Sequence, residues 1–251
     1  AREALLPSPS GEGLGVGEST GSLTARPHPS IPSPEGEGRL EIAPLDDLTP
    51  FDSLVVSPGV PLNTHPLAAR AREVGLEIIG DIELFARARL ELPPHKVVGI
   101  TGTNGKSTTT ALVHHILKTA GVPTTMGGNI GLPILAQDPL PESGVYVLEL
   151  SSFQIDLTQS LDCDVAVLLN ITPDHLDRYE SFEAYVEAKK RLFEMASVGD
   201  EDRPMRVVVV DDPQASKIAD ELHWVERVSA ARLQDWDPAY LSAQTDWPAL
   251  Q

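Results

Sequence analysis

The stretch GITGTNGKST, residues 99–108, decides how this chain folds. It continues KVVGIT (96–101), a β-branched run with strand character, and leads into STTTALVHHILKTA (107–120), which reads as a helix. A strand that turns through glycines straight into a helix aims backbone N–H groups and the positive helix end at one spot, which suits an anion. Gly102, Thr103, Asn104, Gly105, Lys106, Ser107 and Thr108 form the expected cradle. Lys106 can reach the terminal phosphates of a nucleotide, and the Ser107 or Thr108 hydroxyl can sit on Mg²⁺. The spacing departs from G-x-x-x-x-G-K-[ST], because Ile100 stands five before Gly105 and the other glycines are Gly99 and Gly102. That departure, with no N-K-x-D base-reading motif in the sequence, argues against a generic GTPase.

Outward from the loop the sequence keeps an α/β rhythm. In 107–120 the residues Leu112, Val113, Ile116, Leu117 and Ala120 are expected to form one apolar stripe, with Gly121 as the stop. VYVLEL (145–150) and DVAVLLN (164–170) are continuous apolar runs, the pattern of strands buried on both faces. SFEAYVEAKKRLFEMAS (181–197) is an amphipathic helix, MRVVVVDD (205–212) a strand, and HWVERVSA one further candidate strand. Before the loop, SLVV (53–56) and LEII (76–79) read as strands, PLAARAREVG (66–75) and IELFARARL (82–90) as helices, and Pro93-Pro94 as a linker. The expected architecture is an open, mostly parallel α/β sheet with a P-loop over 94–251. A partial Rossmann-like unit over 46–93 precedes it.

Composition narrows the function. Of 251 residues, 37 are acidic and 19 are Lys or Arg, a formal net charge of −18. Such a field repels DNA and anionic membrane surfaces, so neither is an expected partner, and a small anion would need locally cationic groups. The single cysteine, Cys163, excludes a disulfide framework and lies in an apolar run, where a buried core thiol is expected. No run approaches the ~18 apolar residues of a membrane span. The start lacks a signal-peptide pattern, so a cytoplasmic protein is expected. Residues 1–45 are rich in Pro, Gly and Ser, and PSPSGEG (7–13) recurs as PSPEGEG (32–38). This segment is expected to be disordered.

Two polar residues stand out at strand ends. Glu149 is a carboxylate near the end of an apolar strand, on the edge where α/β sheets bind ligands; a salt-bridged or solvated end residue is the even alternative. His175 follows LLN and enters a turn at the same edge. Ser151 and Ser152 lack the G-x-S-x-G elbow of a nucleophile and suit packing or substrate hydrogen bonding. His114 and His115 read as helix-face residues.

With GDIELF (80–85), GITGTNGKST (99–108), GGNIGLP (127–133), VLELSSFQ (147–154), LNITPDHLDRY (169–179) and AKKRLFE (188–194), the chain resembles the ATP-dependent Mur ligases of peptidoglycan synthesis. GDIELF, GGNIG and ELSSFQ resemble the D-glutamate-adding branch, and the resemblance runs from about 54 to 195. It implies an amide-bond-forming ligase that joins D-glutamate to UDP-N-acetylmuramoyl-L-alanine through an acyl phosphate. Its partners would be those two substrates and ATP, and the protein would be a monomer. The resemblance further implies Lys106 on the ATP phosphates, and Ser107 and Glu149 on one of two Mg²⁺ ions. Asn129 and His175 would stand at the reacting carboxylate and the second metal, and Lys189 would be a carbamate that bridges the metal site. It also implies that the chain is a truncated or rearranged copy, with 46–93 a remnant of a UDP-binding domain, an incomplete central domain over 94–251 and no carboxy-terminal domain. Two alternatives stay open: a nucleotide-binding remnant without ligase turnover, and another Mur or folylpolyglutamate-type ligase.

Lys189 can be singled out from Lys190 by periodicity. On 181–197 the apolar stripe runs through Phe182, Tyr185, Val186, Leu192, Phe193 and Ala196, and position 189 falls within it. Lys190 lies about 100° further round. A lysine on a core-facing stripe loses hydration, which favours the neutral amine that can take up CO₂. The plain alternative is a lysine that snorkels to water.

Overall fold

A computed structural model describes residues 3–5, 47–175, 177–195 and 204–233. The expected open, parallel α/β arrangement is what the chain adopts, in two sheets. The first sheet has three parallel strands, β1 (Glu3–Leu5), β2 (Ser53–Val55) and β3 (Glu77–Ile79), with α1 (Pro66–Glu73) between β2 and β3 and α2 (Asp81–Ala88) after β3. Pro66 opens α1, where its missing N–H costs nothing, and the His65 ring accepts from Leu67 N at 3.2 Å. Within the segment expected to be disordered, Glu3–Leu5 forms a strand. ALL (4–6) is an apolar run within that polar segment, and Pro7, which has no N–H to donate, follows it directly in the sequence. The remaining residues up to 46 lie outside the described residues, as does everything after 233.

The second sheet carries the glycine loop. Its strands are β4 (His95–Thr101), β5 (Thr124–Gly128), β6 (Gly144–Glu149), β7 (Val165–Leu168), β8 (Met205–Val209) and β9 (Val225–Val228). They lie in the order β5-β6-β4-β7-β8-β9, all parallel. The order switches direction at β4, and the crevice beyond the carboxyl ends of the strands at such a point is where open α/β sheets hold ligands. Every residue of β6 is buried, as its unbroken apolar run demands of a strand covered on both faces. The helices are α3 (Lys106–Thr119), α4 (Ser152–Asp156), α5 (Phe182–Glu194), α6 (Pro213–Glu221) and α7 (Ala230–Leu233).

Two details differ from expectation. In α3 the fully buried residue is Thr110, while Ile116 is 54% exposed and Val113 and Leu117 alone of the expected stripe pack against the Ile100, Val145 and Val147 cluster. The face turned to the sheet therefore runs through Thr110, Val113 and Leu117, and Ile116 lies on the solvent side of it. The second difference is α6, which follows Asp212 as N-cap: the carboxylate accepts from Gln214 N and Ala215 N, and Pro213 occupies the first turn. Val225–Val228 then completes the sheet, where HWVERVSA is the candidate strand.

The two sheets are joined through buried contacts. Glu83 of α2 is almost fully buried, and its carboxylate accepts from Gln159 N, Ser160 N, Ser160 Oγ and Arg87 Nε at 2.7 to 2.9 Å. Burial alone would raise this carboxyl, but these donors outweigh it and hold it below the usual carboxylate range. Gly80 N donates to Leu157 O at 3.0 Å beside it.

Candidate functional site

The site grows from the end of β4. Gly102 and Gly105 have φ of +152° and +82°, and a Cβ on Gly102 would meet Leu169 Cβ at 3.0 Å. Only glycine lets the loop pass this close to the end of β7. Gly105 is the N-cap of α3, and no side chain caps that helix. By contrast Ser151, Ser181 and Asp212 cap α4, α5 and α6 with side-chain oxygens. The uncapped start of α3 leaves its first N–H groups for a ligand, as phosphate loops do. Lys106 stands there half-buried, and Ser107 and Thr108 are exposed on the first turn.

The loop is held by the segment after β7. Thr103 N donates to Asn170 O at 2.9 Å, and Thr103 Oγ1 donates to Thr172 O and accepts from Thr172 N at 3.1 and 3.0 Å. Asn104 and Asn170 exchange two bonds, Asn104 N to Asn170 Oδ1 at 2.9 Å and Asn170 Nδ2 to Asn104 O at 3.0 Å. Sequence reading misses Asn170, Thr172 and Tyr185, whose hydroxyl lies 3.1 Å from Thr103 Oγ1.

Two lysines meet at the loop. Lys106 Nζ donates to Thr103 O at 2.8 Å, and Lys189 Nζ donates to the preceding carbonyl, Gly102 O, at 3.0 Å. Lys189 is 1% exposed, and its Nζ lies 4.7 Å from the centroid of the Tyr185 ring. Burial first, and the charge of Lys106 second, bring its ammonium down to about 7; Asp174 and Asp156 act in the opposite sense. Lys190 points elsewhere and pairs with Glu221 at 2.9 Å.

On the other side of β4, Glu149 ends β6 in register with Ile100. Asn129 N donates to Glu149 O and Asn129 Nδ2 to Glu149 Oε1, each at 2.8 Å. Gly128 makes this possible: its φ is +90°, and a Cβ there would come 2.2 Å from Glu149 O. Glu149 is buried, and its second carboxylate oxygen, Oε2, has no hydrogen-bond partner. A buried carboxylate oxygen without a donor suits a cation. No group of three His, Cys, Asp or Glu residues among the described residues is arranged to hold a metal by itself. Mg²⁺ does not require one, because it keeps waters and binds through one or two carboxylates together with phosphate oxygens.

His175 lies in the loop after β7 with φ +53°, a left-handed turn that histidine tolerates better than most residues. Its ring faces Phe153, with centroids 4.8 Å apart, and Tyr185, at 6.1 Å. Through Tyr185 it is linked to Thr103 and the glycine loop. The expected residues thus fall into a loop group of Lys106, Lys189 and, through Tyr185, His175, and a strand-end pair of Glu149 and Asn129 on the neighbouring strand. Beside His175 a cleft of about 460 Å³ opens between the two sheets, with Phe153, Arg178 and Tyr179 on one wall and Leu62, Arg72 and Ile78 on the other.

These features define an α/β domain with a P-loop-like glycine turn, and the chain belongs to the Mur ligase family: residues 100–233 match the Mur ligase middle domain. The match extends beyond the region of sequence resemblance and takes in α6 and β9. A UDP-N-acetylmuramoylalanine–D-glutamate ligase of Sphingopyxis alaskensis is 63% identical over 212 residues, which cover 83% of this chain and 46% of that protein. The ligase of the same name from Novosphingobium aromaticivorans is 57% identical over 217 residues, covering 86% and 48%. The chain therefore spans about half the length of the curated relatives it matches. Among solved structures, a UDP-N-acetylmuramate:L-alanyl-γ-D-glutamyl-meso-diaminopimelate ligase from Neisseria meningitides superposes with a TM-score of 0.50 at 18% identity, over 71% of this chain and 58% of that one. That likeness concerns the fold.

Proposed function

We propose that this chain carries the ATP-handling part of a ligase that joins D-glutamate to UDP-N-acetylmuramoyl-L-alanine. The observation that carries the reading is the meeting of Lys106 and Lys189 on consecutive carbonyls of an uncapped glycine loop, in a chain 63% identical to a ligase of that name. Lys106 and the first N–H groups of α3 would bind the β- and γ-phosphates, and the carboxylate of the UDP-sugar peptide would be drawn alongside. Attack of that carboxylate on the γ-phosphorus breaks its bond to the β–γ bridging oxygen and forms an acyl phosphate. The amine of D-glutamate then adds to the acyl carbon, loses a proton, and expels inorganic phosphate to leave the amide.

The residues around the loop have distinct parts in this scheme. Glu149, fixed by Asn129, and the Ser107 hydroxyl would hold Mg²⁺, which offsets the charge that otherwise keeps triphosphate and carboxylate apart. His175, beside the loop on the Tyr185 side, would face the substrate carboxylate. A second cation would draw on His175 and on Lys189: the neutral amine there can add CO₂ and lose one proton, which gives a carbamate anion. The low proton affinity of Lys189 supports that chemistry.

Titration of the chain with an ATP analogue and Mg²⁺, against Lys106→Ala, tests the reading. Binding by the wild type that is lost in the variant is expected; equal affinity in both would overturn phosphate binding at this loop. Ligation assayed with a panel of acceptor amino acids, the chain being supplied within the full-length relative, is expected to favour D-glutamate. Preference for another acceptor would assign the domain to a different Mur ligase.

A further inference from the structure

We propose that Arg178 is a positioning residue for His175, pinning the His175 loop of the second sheet to the turn that follows β2 in the first. Its guanidinium reaches across the joint to three consecutive carbonyls: Nη2 donates to Pro58 O at 2.8 Å and Val60 O at 2.6 Å, and Nη1 to Gly59 O at 3.2 Å. The Cζ of the same guanidinium lies over the Phe153 ring, 4.1 Å from its centroid, and Phe153 is the ring that His175 packs against. Its backbone closes the unit, because Arg178 N donates to His175 O at 2.9 Å, the bond that fixes the turn following the left-handed His175. One residue therefore ties together the turn at 58–60 and the platform under the histidine, through its side chain, and the histidine's own backbone, through its main-chain N–H.

Charge alone does not explain the arrangement. The Pro58, Gly59 and Val60 carbonyls fan across a planar donor set, which guanidinium supplies and a lysine ammonium cannot match while also stacking on Phe153. The turn at 58–60 is itself closed by Val60 N donating to Ser57 O at 3.0 Å, so its carbonyls point outward as a ready receptor. His175 sits in an exposed loop at a φ that only a few per cent of non-glycine residues adopt, and its remaining contacts, Asp174 beside it, Tyr179 N on its carbonyl and the Tyr185 ring, all belong to the second sheet's side of the joint. The clamp makes its direction depend on the first sheet being docked. The inference rests on the ligase reading only in giving His175 a substrate carboxylate to face.

The test is nuclear magnetic resonance on the whole isotope-labelled chain, as wild type, Arg178→Lys and Arg178→Gln. In the wild type, a nuclear Overhauser effect between the Phe153 and His175 rings is expected, with the His175 ring protons displaced by the neighbouring aromatics. Both variants should lose that effect and bring the ring protons towards free-histidine shifts, with ATP-analogue affinity unchanged. Unmoved His175 signals in a folded variant would overturn the proposal and leave Arg178 a purely structural link. Hydrogen exchange on the wild type decides the matter even if a variant fails to fold: the Val60 and Arg178 amides should open as one unit, and independent opening overturns the clamp. Failure of the ligase reading would show separately, as absent nucleotide binding.

Discussion

Asn129 grips Glu149 twice, once through the main chain and once through the side chain, and so leaves one carboxylate oxygen buried and unsatisfied. The grip sets the direction of that oxygen. Asn129→Ala is expected to raise the Mg²⁺ concentration that saturates nucleotide binding by about tenfold, the equivalent of ~1.4 kcal/mol. Glu149→Gln, which removes the charge but keeps the shape, should raise it further. Calorimetric Mg²⁺ titrations at fixed ATP analogue check both, and an unchanged Mg²⁺ dependence in Asn129→Ala would show that the pair has no bearing on the metal.

Gly128→Ala should destabilise the fold by at least ~2 kcal/mol, because a positive φ and a contact with Glu149 O are imposed together. The backbone of β5 cannot retreat without breaking its pairing with β6, where Gly128 stands opposite Glu149. Urea unfolding of the variant is the measurement. Gly121→Ala, where a Cβ meets nothing within 4 Å but φ is +78°, separates the φ cost from the clash and should lose less.

Lys189 predicts a distinct pH dependence. Its ammonium, near 10.5 in the unfolded chain, is lowered to about 7 in the fold. Below pH 7 both states are protonated and the cost of burying the charge is fully present. Between about 7 and 10.5 the unfolded chain binds more protons than the folded one, so this group's contribution favours folding increasingly as pH rises, by up to about 1.4 kcal/mol per pH unit. Lys189→Met should remove that slope. Unfolding at pH 6.5, 8 and 9.5, compared between wild type and variant, reads it directly; parallel profiles would mean that the lysine stays charged in the fold.

Cys163 should be inert to aromatic disulfide reagents in the native chain at pH 8 and react fully once unfolded. Burial pushes its thiol up to about 12, and Sγ lies against the face of Gly99, where a Cβ would come within 2.7 Å of it. Reaction in the native state at a rate near that of a free thiol would show that the β4–β7 face opens readily.

The central strands, the glycine loop and α5 can be read from the sequence because their signals are local: apolar runs, paired glycines, and a stripe that places Lys189 inward and Lys190 outward. The structure bears out that placement, with Lys189 buried and Lys190 among surface carboxylates. β5 escapes such reading because TTMGG carries no alternation; Gly128 is there for the approach to Glu149, and Gly127 lies against Gln137 and Ile134. The Asp212-Pro213 start of α6 is a readable signal that the thin apolar content of the helix obscures. Arg178 and Asn170 are legible only in three dimensions, since their partners lie 118 to 120 and 66 residues away in the chain. The cleft behind Phe153 follows from no local pattern at all, because its walls come from both sheets.

The reciprocal bonds between Asn104 and Asn170, and between Thr103 and Thr172, have a consequence for transplantation. The glycine loop is not a portable cassette. Moved into another scaffold as residues 99–108 alone, it would carry main-chain groups whose partners come from the end of a different strand. The smallest heritable unit is discontinuous, two β-strand ends that must be copied together, and a recombination breakpoint anywhere between 108 and 170 would separate them.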